Sequence, residues 1–247
     1  MNHSSLSSTF VGALCITVLA ACGGGGGDSP APVTPPPVTT PPPTTASFTV
    51  AAGFKARIDA GASDNFDISG GCTGTATIAL SAGTPATFEN VASIASPQTS
   101  TATLNNCQPA SSSSTGFTYY NSSYANLGLA VTGGEYAAFQ PASTPTALPA
   151  TAQIGNSGTI VTLNTYSNSS KATLTGTRVV KWQIEADGTS TTSAIFALIT
   201  ENYNTSNLLL STQTSRYRIA QNGTLTVTTI EVKFVGTTAL NLLYTKR

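Results

Sequence analysis

Charge is what this 247-residue chain has least of. Ten Lys and Arg face ten Asp and Glu, 8% of all residues, where a soluble domain ordinarily carries roughly 25%. The formal net charge is zero, so no basic stripe exists to neutralise phosphates, which excludes a nucleic-acid partner. Histidine is nearly absent, His3 being the only one. No P-loop, no Gly-x-Gly-x-x-Gly unit and no zinc pattern is present. The run of five glycines from Gly23 is no phosphate cradle, because no strand precedes it and no helix follows. Long apolar stretches are missing too: the run over residues 10–20 falls short of the ~20 residues of a membrane-spanning helix. What is abundant is Ser, Thr, Ala and Gly, with hydrophobic residues at 40%, enough for a core and too many for a disordered chain.

The short apolar run ends in Leu19-Ala20-Ala21-Cys22. Small residues before a cleavage point mark a secretory leader, and this order resembles the lipobox of bacterial lipoproteins. That resemblance implies a signal peptide over 1–21, removed just before Cys22, and Cys22 lipidated on its sulfur and acylated (palmitate) on its new amino group. Several chains, each buried CH₂ contributing about 0.8 kcal/mol, give stable anchoring where one would not. The segment from Met1 to Thr9 departs from the pattern in holding no Lys or Arg. Gly23, rather than Asp, follows the cysteine, and by the same resemblance the destination is the outer membrane, with no mark of which side the protein faces. Loss of the leader removes His3 and with it every imidazole-based catalytic or metal site.

Residues 22–46 read as a disordered tether. Consecutive glycines lose the most backbone entropy on ordering, and the Pro-Pro-Pro and Thr-Thr repeats that follow favour an extended spacer. Of four cysteines, Cys15 leaves with the leader and Cys22 carries lipid. Cys72 and Cys107 remain, and in an oxidising compartment they are expected to form a disulfide. Two cysteines without histidine cannot complete a zinc shell, and no metal or cofactor is expected.

Beyond the tether the pattern is alternation, and no helix is expected. Residues 75–80, 87–94 and 101–104 are candidate strands in a β-rich part over 47–150. The stretch 141–149, with three prolines, is a connection. Residues 151–247 are expected to form an antiparallel meander, with 47–247 readable as one continuous domain. Its strands are 159–166, 171–186, 191–203, 208–220, 224–235 and 239–244, rich in β-branched and aromatic residues. Asp187-Gly188 and Asn222-Gly223 are dipeptides of two-residue hairpin turns. Val180, Trp182 and Ile184 share one face of their strand; Lys181, Gln183 and Glu185 share the other. Between Leu225 and Val235 the apolar parity switches, which calls for a bulge. The fold class is therefore all-β: a meander in a twisted or partly closed sheet, a sandwich or half-barrel. A transmembrane barrel is disfavoured, since that pattern closes on a terminal aromatic residue and this chain ends Tyr244-Thr-Lys-Arg.

Carboxylates are the remaining route to catalysis, a pair of them being able to cleave glycosides. Glu135, Glu185, Asp187, Glu201 and Glu231 are the candidates, and no catalytic pair can be singled out. Asp59, Asp64 and Asp67 with Asn65 could offer oxygens to calcium, but their spacing fits no EF-hand. Arg216 and Arg218 project to one face of a strand, with Arg216 diagonal to Glu231: an anion clamp, or a cross-strand ion pair. Tyr119, Tyr120 and Tyr124 are either a stacking platform for sugar rings or core aromatics.

Taken with Gly71-Cys-Thr-Gly-Thr-Ala-Thr77, Thr118-Tyr-Tyr-Asn121, Glu185-Ala-Asp187 and Ser211-Thr-Gln-Thr-Ser-Arg-Tyr-Arg218, the lipobox and polyglycine resemble a group of uncharacterised lipoproteins of Gram-negative proteobacteria. The resemblance implies a cell-envelope location and a β-rich body, and carries no activity. Two function classes follow: a non-enzymatic, lipid-anchored binding or structural module with a protein or glycan partner, or an acid-residue hydrolase acting on glycan.

Overall fold

The computed structural model describes residues 46–140, 143–236 and 240–247, with the backbone of residues 9–11 and 14–16. The lipobox, Cys22 and the tether up to residue 45 lie outside them. Strands β1 (Thr9–Val11) and β2 (Leu14–Ile16) form a separate antiparallel pair. The body begins with β3 (Ser47–Thr49) and one helix, α1 (Val50–Ala60). Strands β4 (Ala62–Gly70), β5 (Thr73–Leu80), β6 (Thr84–Phe88), β7 (Val91–Asn105), β8 (Ser111–Tyr120), β9 (Asn126–Val131) and β10 (Tyr136–Phe139) follow. After the proline-rich connection and β11 (Thr151–Gln153), which pairs with β3, come β12 (Ser157–Tyr166), β13 (Leu174–Ala186) and β14 (Ser193–Asn204). The chain closes with β15 (Leu209–Ala220), β16 (Leu225–Phe234) and β17 (Leu240–Lys246).

From β12 to β17 the strands neighbour one another in sequence order, as local hairpins dictate, and β17 continues onto β4. The sheet then goes further than a half-barrel. β5 pairs with β7 over Thr73–Leu80, which joins the two ends of the sheet into a ring of twelve antiparallel strands, with β6 as an extra strand on β7. The disulfide Cys72–Cys107, with Cα atoms 5.8 Å apart, lies where β5 begins and β7 has just ended, and so staples that closure.

Inside and outside follow from the period of two. Val180, Trp182 and Ile184 point inward and are buried; Lys181, Gln183 and Glu185 point outward. On β5, β7 and β8 the outer face is a ladder of hydroxyls, Thr75 opposite Thr103 opposite Ser111, and Thr77 opposite Thr101 opposite Ser113. Their inward neighbours are Ala76, Ile78, Ala102 and Leu104. On these three strands an apolar inside and a polar outside is the inverse of the lipid-facing pattern. The parity switch in β16 is a bulge: Arg216 faces Thr229 but Tyr217 faces Val227, leaving Thr228 unpaired, its hydroxyl on the carbonyl of Arg216.

Four local features correct the sequence reading. The helix α1 was not expected, yet Val50, Phe54 and Ile58 stand at i, i+4 and i+8 and are its buried residues. The alternating small residues around it hid a one-face helix. Its first N–H groups go to the carbonyls of Pro149 and Ala150, so the proline-rich connection serves as its cap. The candidate strand over 87–94 is broken by a turn at Glu89-Asn90, both at positive φ (51° and 63°). Asp187-Gly188 opens a longer loop, 187–192, because the Asp187 carbonyl accepts the Ser190 N–H and its carboxylate is held by Ser193 and Arg218. Asn222-Gly223 belongs to a three-residue loop closed by Ala220 N–H on Thr224 O, with Gly223 at φ 90°.

Candidate binding site in the barrel lumen

The diameter of a barrel grows about linearly with strand number, and eight strands are just filled by side chains. Twelve strands give a lumen roughly 1.5 times as wide, so something besides wall side chains must fill it. At one end that filler is α1. Phe54 enters the barrel and meets Tyr120 and Phe196 edge-on, with ring centroids at 5.9 and 6.3 Å. The helix backbone lies directly on the β15–β16 loop, where a Cβ on Gly53 would come within 2.0 Å of the Gly223 carbonyl oxygen.

Away from the helix the inward side chains become small or polar. On β14 and β15 the inward rows pass from Phe196 and Tyr217 to Thr200, Asn202, Ser211, Gln213 and Ser215. Arg178 on β13 is 1% exposed and meets Glu135, from the loop before β10, at 2.6 Å. Its Nε donates to Asn202 Oδ1 at 2.8 Å, and Asn202 Nδ2 donates to Ser211 Oγ at 3.1 Å. Across the lumen, Gln98 Nε2 donates to Thr118 Oγ1 at 2.7 Å. Five further buried oxygens, Ser93 Oγ, Gln98 Oε1, Asn126 Oδ1, Thr200 Oγ1 and Tyr244 Oη, have no hydrogen-bond partner among the described residues. Each such orphan costs about 1–3 kcal/mol. Burial also pushes the Tyr244 phenol well above its ordinary range, keeping it a neutral hydroxyl.

The remaining charges are spent in pairs. All ten Lys and Arg of the chain lie within ion-pair distance of a carboxylate, and so do all nine Asp and Glu among the described residues. Arg216 reaches Glu185 at 3.1 Å and Glu231 at 3.7 Å on the outer wall; Arg218 reaches Asp187 at 2.7 Å. Asp59 pairs with Lys55, Asp64 with Arg57 and Lys246, Asp67 with Arg247. No cluster of three or more potential metal ligands occurs among the described residues.

The three tyrosines part company. Tyr120 is an inward core residue on Phe54. Tyr119 faces outward and stacks on Phe88 at 4.2 Å, with Phe117 beside it. Tyr124 lies in the β8–β9 loop, bonded to Lys55 and Asp59 of α1. Sequence reasoning missed the lumen set, although β13 carried a signal: Arg178 has the parity of Val180, Trp182 and Ile184, an arginine on an apolar face.

No protein-family model matches this chain, and searches of curated proteins and of solved structures find no match either.

Proposed function

We propose that this protein is a lipid-anchored cell-envelope module of the outer membrane, a non-enzymatic binding or structural body carried on a Gly/Pro/Thr tether from acylated Cys22. The observation that carries the non-enzymatic part is the pairing of every charged side chain among the described residues. A general acid must hold its proton near neutral pH, which requires a raised carboxyl pKa. Asp59, Glu89, Asp187, Glu201 and Glu231 are instead all held below the ordinary carboxylate range. Glu185 and Glu231 flank Arg216 and are the nearest approach to a catalytic pair for the glycan-hydrolase alternative. They stand on the outer wall of the barrel with the Arg216 guanidinium between them. A polar outer wall suits a body held in water beside a membrane and not within one.

The test is chemical. Cells fed a clickable fatty acid should label the wild-type protein and not Cys22→Ser, and the variant should leave the membrane fraction. Unlabelled wild-type protein, or a variant that stays on membranes, overturns the anchoring. Glycan cleavage by wild type that Glu185→Gln or Glu231→Gln abolishes overturns the non-enzymatic reading.

A further inference from the structure

We infer that the barrel rim remote from α1 rests on the lipid bilayer, its apolar tips entering the headgroup–acyl boundary; the inference rests on the reading of Cys22 as the lipid anchor. Antiparallel pairing sends successive hairpin turns alternately to the two ends of the barrel. The turn after β15 lies against Gly53 of α1 and so marks the helix end. The turns that follow β4, β7, β9, β12, β14 and β16 belong to the other end. Among the described residues the four most exposed large apolar side chains all stand there: Leu208 at 63%, Val235 at 53%, Leu174 at 47% and Leu210 at 44%. They occupy the rim over the consecutive strands β13 to β16, and the Val235 N–H donates to the Leu210 carbonyl at 2.8 Å.

Charge is divided the opposite way. The sequence between the strands that these six turns join holds only two charged residues: Lys171, paired with Glu89, and Glu135, buried with Arg178. The helix end carries the pairs Lys55–Asp59, Arg57–Asp64 and Arg218–Asp187. Lowering the remote rim into an apolar layer therefore strips water from leucine and valine and from no unpaired charge. A fluid bilayer admits each tip by itself, with Thr205, Ser206 and Asn207 left among the headgroups. One step back on the outer face of β14 stands Tyr203, its hydroxyl on Glu201 at 2.7 Å, a residue type that lines such boundaries.

The tether allows this pose. It enters the body at the helix end, where the Thr49 N–H donates to the Gln221 carbonyl. Residues 22–45 number 24 and span about 75 Å at the polyproline rise. Strand β13, with 13 residues, is about 43 Å long before any tilt. The tether can therefore run the full height of the wall, and Cys22 can sit in the same leaflet that the remote rim touches.

The full chain is reconstituted in phosphatidylcholine vesicles carrying an environment-sensitive NBD dye on Leu208→Cys or, separately, on Thr191→Cys at the helix end. Emission at 208 should shift to the blue on reconstitution and be lost when doxyl-labelled lipid replaces plain lipid. Emission at 191 should do neither. High salt should leave the response at 208 unchanged, because no charge carries the contact. Adding Leu174→Asp and Val235→Asp should abolish the blue shift at 208 while Cys22 keeps the protein on the vesicles; both side chains are about half exposed, so an unchanged thermal midpoint checks the fold. Unquenched 208 on vesicle-bound protein, or equal quenching at 208 and 191, overturns the inference. A blue shift at 208 without lipid quenching, together with dimers in sedimentation, gives the rim to a second copy and overturns it as well. Acyl mass on Cys22 is scored on the same preparation. Acylated protein with 208 unquenched fails the rim alone, and unacylated protein that still seats 208 in added vesicles fails the anchoring alone.

Discussion

Arg178 and Glu135 face each other across the inside of the barrel wall at 2.6 Å, one 1% and the other 7% exposed at the side chain. Removing one partner leaves the other charge buried, which typically costs about 3–5 kcal/mol. Arg178→Met and Glu135→Leu should therefore each lower the urea midpoint sharply, while the double variant recovers much of the loss. Two mild single variants would show that the pair is hydrated.

Gly53 presents the opposite of an ordinary helix glycine. Alanine in a helix interior usually gains roughly 0.5–1 kcal/mol over glycine. Here the new methyl would meet the Gly223 carbonyl oxygen at 2.0 Å, a backbone atom that cannot swing aside. Gly53→Ala should destabilise, with α1 lifted from the barrel end, readable as a lower thermal midpoint. A higher midpoint would mean that the helix does not seat on that loop.

The disulfide spans 35 residues, and the chain-entropy relation gives about 4 kcal/mol for a loop of that size. Cys72→Ala with Cys107→Ala should lose an amount of that order in equilibrium unfolding. Because the bond flanks the β5–β7 pairing, amide exchange should accelerate first in β5 and β7 rather than in the β13–β15 wall.

Acid should loosen the outer wall. The Asp187 carboxyl is held low by hydrogen bonds from Arg218 and Ser193. For Glu201 burial works the other way, but the bonds from Lys181 and Tyr203 outweigh it. Both folded pKa values lie below their unfolded ones, so the unfolded chain binds more protons as pH falls. The stabilisation is full above the ordinary carboxylate range near ~4 and is lost progressively below it. Urea midpoints should hold between neutrality and that range and decline beneath it. The decline should shrink in high salt, since Arg218 is 58% exposed and Lys181 39%. A midpoint that rises on acidification would refute this assignment.

Local chemistry settled the strands of the second half before any fold was known. β-Branched residues alternate with polar ones from β12 to β17, and a change of register by one would turn Val180, Trp182 and Ile184 out into water. The bulge in β16 was readable because apolar parity changes between Val227 and Ile230. The pairing of Arg216 with Glu231 was readable because strand geometry makes them diagonal neighbours. Turn lengths were less legible, since Asp187 spends its carboxylate on Ser193 and Arg218, partners outside the dipeptide.

What tertiary structure alone decided is whether the sheet closes and what fills it. The β5–β7 pairing is an edge-to-edge choice that no alternation pattern encodes, because every strand presents the same backbone groups to either neighbour. Closure turned one face of each strand inward, and so buried Arg178, Thr200, Gln98 and Tyr244, far apart in sequence, inside one barrel. It also gave α1 its place: an apolar stripe of three residues is too weak a signal alone, and it forms a helix because the barrel end offers Tyr120 and Phe196 for Phe54 to pack against.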